Sequence, residues 1–63
     1  MNVERLFNAK PDKFVDVVRK HSGYRSFIEY LASQSNFQVI NFMTDSEKKT
    51  LYSLACERAF LQD

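Results

Sequence analysis

The sequence predicts an α+β protomer, helix–strand–helix, completed by a second copy as an intertwined homodimer around a two-stranded antiparallel ribbon. Three observations carry that expectation. Two stretches have apolar residues at helical spacing, and between them NFQVINF (residues 36 to 42) is rich in β-branched and aromatic residues. A lone strand leaves a row of backbone donors and acceptors unpaired, so a second strand is needed. And 63 residues make one domain, which buries only about 60% of its unfolded surface and gains most from oligomerisation.

The usual staples of small domains are missing. The single cysteine, Cys56, has no partner within the chain, and one Cys with one His cannot build a structural zinc site. Six phenylalanines and three tyrosines supply ample apolar surface for a core and an interface. The longest apolar run is too short to span a bilayer. MNVERLFNAK carries Glu4 and no apolar h-region, so it does not read as a secretory signal. A cytoplasmic protein with no membrane association is expected. The net charge of +1 selects no partner class.

In order, residues 1–10 form a lead-in in which Val3, Leu6 and Phe7 have the spacing of a short helical turn. Pro11 suits the first position of a helix. From there Phe14, Val17, His21, Tyr24, Ile28 and Leu31 step by three and four, widened by Val18 and Phe27. Ser22-Gly23 interrupts the stripe with a costly glycine, but the phase is kept across it, so one helix over 11–34, at most bent at 22–23, is expected. Residues 37–43 predict the strand, with Phe37, Val39, Asn41 and Met43 on one face and Gln38, Ile40 and Phe42 on the other. Thr44-Asp45-Ser46-Glu47 is a capping box that starts a helix over 45–61. Leu51, Leu54, Ala55, Arg58 and Leu61 share one side of that helix; Tyr52, Cys56, Ala59 and Phe60 share the neighbouring one.

A two-fold axis through Ile40 pairs the strand with its copy. The expected dimer interface is Phe37, Val39, Ile40, Phe42, Met43, Leu51 and Leu54. Phe27, Tyr30, Tyr52 and Phe60 exceed the needs of one small core and form a candidate cleft for a protein partner, an amphipathic helix being the natural ligand. Arg19, Lys20 and Arg25 are the candidate nucleic-acid contacts, in a basic stretch with an interleaved Tyr24. Against that, the net charge is near neutral, and a solvated helix face is the ordinary reading. His21 on the apolar stripe reads as a packed helical histidine, and Cys56 beside Ala55 as close helix packing. With no oxyanion motif or orienting third group, no catalytic residue and no cofactor are expected.

In PDKFVDVVRKHSGYRSFIEYLASQ, NFQVINFM and TDSEKKTLYSLACERAFLQD, the chain resembles the small early protein encoded between the exonuclease and excisionase genes of lambda-like phages. The resemblance covers the whole chain as a size and an order of elements, without a diagnostic short motif. It implies a dimeric, non-enzymatic early phage protein that favours lytic over lysogenic development in the cytoplasm of a bacterial host. The competing class is a small DNA-binding regulator using residues 19–25.

Overall fold

Residues 2–61 are described by a computed structural model. The first helix, α1 (Val3–Ala9), is started by Asn2, whose Oδ1 accepts from the Arg5 N–H at 3.0 Å. It buries Val3 and Phe7. After Lys10 the chain turns, and Pro11 opens α2 (Pro11–Lys20), where its missing N–H costs nothing. This helix buries Phe14, Val15, Val17 and Val18 and leaves its charged residues in water.

The stripe over 11–34 does not stay on one helix. It divides at Gly23 into α2 and α3 (Tyr24–Ala32). Gly23 sits at φ +98° and ψ 141° as the residue that starts α3, a region that side-chain-bearing residues rarely enter. The heptad phase continues across the break because two separate helices both turn their apolar side inward. Phe27 and Leu31 of α3 are completely buried.

The segment expected to be a strand is a 3-10 helix, Ser35–Phe42, interrupted at Phe37 by a non-helical residue (φ −122°, ψ 25°). Among the described residues every regular element is helical, so the fold is all-α and the α+β reading is wrong. The reason is legible in the burial. Phe37, Ile40 and Met43 are buried while Gln38, Asn41 and Phe42 are exposed. That is a step of three, the period of a 3-10 helix, and not the alternation of a strand. The polar backbone is met locally: the Phe37 N–H donates to the Gln34 carbonyl at 3.0 Å and the Met43 N–H to the Ile40 carbonyl at 3.1 Å. With no strand there is no ribbon, and no backbone here asks for a second chain.

The last helix, α4 (Asp45–Leu61), begins at a complete capping box. The Thr44 N–H donates to Glu47 Oε1 at 2.8 Å, and the Glu47 N–H to Thr44 Oγ1 at 3.1 Å. Leu51, Ala55 and Ala59 form its buried face, against which α1, α2 and α3 all pack. The core is tied together by rings. Phe14 lies 5.9 Å from Phe7 and 5.0 Å from Phe37, linking α1, α2 and the 3-10 segment. The radius of gyration, 10.5 Å, matches the value of about 11 Å for a self-contained domain of this length.

Two stability predictions follow this architecture. Ile40→Ala should cost about 2–5 kcal/mol, as a cavity in a closed core does, whereas Phe42→Ser should stay within about 0.5 kcal/mol. Urea unfolding of both variants checks this; a large loss for Phe42→Ser would show that residue to be covered. Gly23→Ala should cost about 1–3 kcal/mol from backbone strain alone, because a methyl group there meets no atom within 4 Å. Equal stability of Gly23→Ala and Ser22→Ala would contradict the positive φ.

Candidate functional site

Two of the open grooves beside α4 carry an exposed large apolar residue, and those residues decide where to look. Phe42, Phe60 and Leu61 are 84%, 75% and 76% exposed. Phe60 and Leu61 are adjacent in the last turn of α4, while Phe42 precedes its first turn. A helix of this length spans about 25 Å, so these residues mark opposite ends.

The first groove lies between α2 and α4. It is lined by Val18, Arg19, Ser22, Ala59 and Phe60 and encloses about 320 Å³. Arg19 shapes its rim: its Nη2 donates to the Ala59 carbonyl at 3.2 Å. That carbonyl lies in the last turn of α4 as described, and a cation is the favoured donor at a helix C-terminal end. The second groove lies between α1 and α4. Glu4, Phe7, Asn8, Leu54, Glu57, Arg58 and Leu61 line about 390 Å³.

The residues singled out in the sequence fall in several places. Phe37, Ile40, Met43 and Leu51 of the expected dimer interface are buried in the chain's own core, Val39 and Leu54 are half-buried, and Phe42 is exposed. They do not form one surface. Of the expected partner cleft, Phe27 is fully buried and Tyr52 packs edge-on against it at 5.3 Å and against Tyr24 at 5.7 Å. Tyr30 stacks on His21 at 4.3 Å. Only Phe60 stands free, in a groove with other neighbours. In the basic stretch Arg19 is held by α4, Lys20 pairs with Asp16 at 3.3 Å on the same helix, and Arg25 is exposed on α3. The α1–α4 groove was not among the sequence candidates. Its signal was present in the shared side of Leu54, Arg58 and Leu61.

Two side chains have shifted titrations. The Glu47 carboxyl is held below the ordinary range, first by its hydrogen bond from the Thr44 backbone, which makes it part of the helix start. The Tyr52 hydroxyl is raised, first by the neighbouring Cys56 thiol and then by burial, with the Gly23 backbone acting the other way. Cys56 is one turn along α4 and half-buried. Among the described residues no group of three or more His, Cys, Asp or Glu could hold a metal ion, and no helix is long and apolar enough to cross a membrane.

Comparison with known proteins returns no family: no family model, no curated protein and no solved structure matches the chain.

The Tyr52 environment generates a spectroscopic prediction. Tyr52 should ionise above the ordinary tyrosine range in an ultraviolet titration read as the difference between the wild type and Tyr52→Phe, and Cys56→Ala should bring it down. Because the folded value is raised, whatever stability this tyrosine contributes is complete below its unfolded pKa of about 10 and is lost as pH rises through the folded value. An unchanged Tyr52 titration in Cys56→Ala would remove the thiol from any role beside Tyr52.

Proposed function

We propose that this chain is a non-enzymatic early phage protein that promotes lytic development by contact with a host or phage protein. Its length and the helices flanking the central segment support that likeness; the strand in the expected order of elements is replaced by the 3-10 segment. The observation that carries the mode of action is Phe60, left 75% exposed beside a groove that includes Val18 and Ala59. A large aromatic side chain standing in water next to an apolar recess is the arrangement of a protein-contact site. An amphipathic helix, with one apolar side chain in the recess and an acidic residue near Arg19, is the partner chemistry that fits.

A second reading, DNA binding, has one observation in its favour. The break at Gly23 leaves α2 and α3 joined by three residues, as in a helix-turn-helix. Against it, Arg19 and Lys20 are engaged within the chain, and Glu29 lies one turn from Arg25 on the exposed side of α3. A carboxylate there opposes the phosphate contacts that would supply affinity.

The two are separated in a bacterial host expressing the chain before infection by a temperate phage. Expression should lower the frequency of lysogens several-fold, and Phe60→Ser should abolish the effect while leaving the circular dichroism unchanged. An unchanged lysogen frequency with the wild type, or full activity of Phe60→Ser, would overturn the proposal. Salt-dependent retardation of DNA by purified protein, lost in Arg25→Glu, would favour the second reading.

A further inference from the structure

The two grooves beside α4 differ in sign. Among the described residues lining the α2–α4 groove, Arg19 alone is charged. The α1–α4 groove is lined by two carboxylates, Glu4 and Glu57, against one guanidinium, Arg58. All three side chains are exposed, and none has an ion-pair partner among the described residues. The chain as a whole carries a net charge of +1, so this seam is a local excess of carboxylate that the chain's own cations leave unmatched.

The seam is also apolar and long. Phe7 and half-buried Leu54 form its floor, and Leu61, 76% exposed, stands at one end. At Glu4 it runs on into a more open recess with Asn2, Val3 and Thr50. From Thr50 to Leu61, α4 covers about 16 Å, or about three helical turns. Thr50, Leu54, Glu57 and Leu61 step by four, three and four along that length, which keeps them on one side of the helix. Two packed helices with a stripe of this spacing beside the groove between them can receive a third, whose apolar side meets Phe7, Leu54 and Leu61.

We propose that the α1–α4 seam binds a cationic amphipathic helix of another protein, with Lys or Arg beside its apolar stripe. Its apolar side chains cover Leu54, Leu61 and the edge of Phe7, and its cations reach Glu4 and Glu57. Arg58 sets the register, because a cation placed opposite it is repelled. The incoming helix therefore carries its positive charge on one flank of the stripe only. This surface is separate from the one at Phe60 and prefers the opposite charge, and it does not depend on the proposed phage role. A contact of three turns falls below the roughly 1,200 Å² of a standard stable interface, and its exposed ion pairs are weak and screened by salt. It is a transient contact.

The test is a titration of the isotopically labelled full chain at low salt with a side-chain-crosslinked helical peptide of about 14 residues, read by backbone amide shifts. The probe carries leucines on one stripe, lysines along one flank and glutamines along the other; its control has glutamates in place of the lysines. The lysine probe should shift the amides of Glu4, Asn8, Leu54 and Leu61 and saturate between about 10 µM and about 1 mM. The glutamate control should leave those amides in place. Glu4→Lys combined with Glu57→Lys should weaken the lysine probe about tenfold, and Arg58→Glu should tighten it about threefold. A gain in affinity does not come from a damaged fold, so the two variants together separate charge from stability. No shifts at those amides, equal shifts from the glutamate control, or an Arg58→Glu variant that binds no tighter would overturn the proposal. So would the same shifts appearing when the chain alone is concentrated, since they would give the groove to a second copy.

Discussion

The fold depends on one face of one helix. Leu51, Ala55 and Ala59 recur every four residues along α4, and three other helices rest on them. Two of the three are alanines, so the neighbouring backbones approach closely and their larger side chains fill the space to either side. The 3-10 segment hands the chain to α4 through the Thr44 capping box, about two turns before Leu51, and Arg19 binds the far end at Ala59. Both ends of α4 are therefore fixed by hydrogen bonds while its middle is fixed by packing. Among the described residues, fourteen buried apolar side chains form a core with no buried polar side chain, because one long helix serves as the common wall.

The central segment shows what was legible in the sequence and what was not. Its composition is that of a strand, but β-propensity expresses fit to a half-buried pleated surface more than a backbone preference. Here the surroundings are helices, and Phe37, Ile40 and Met43 reach them from one side of a 3-10 turn. The three-residue step was visible and also compatible with a short apolar run, which is where periodicity alone fails to separate the two structures. Gly23 is the converse case. The stripe kept phase across it, yet phase reports only that both segments face the core. The single residue able to sit at φ +98° marked the break. The capping box could be read directly because it is a contact between residues three apart, and neighbours in sequence decide it.

The candidate surfaces were less legible for a physical reason. Whether an apolar residue is core or surface depends on contacts between distant parts of the chain. Phe27 and Phe60 look alike in sequence, but one is closed over by Tyr52 and the other stands in water. Arg19 and Arg25 look equally available until α4 is in place; then Arg19 has the Ala59 carbonyl as its partner, which fixes its guanidinium at the rim of the α2–α4 groove.

A chain of this size that finishes its own core is free to use its remaining apolar surface for contact without risking its stability. The ribbon would have tied folding to dimerisation, since each strand's backbone groups would be unsatisfied alone. The 3-10 segment removes that link by pairing its backbone within itself. What remains outside, Phe60 on one side of α4 and the Leu54–Leu61 seam on another, lies on a helix whose position is already set. Contacts made there lose little ordering entropy, because the presenting backbone does not have to be ordered at the moment of binding. The two surfaces also flank the same last turns of α4.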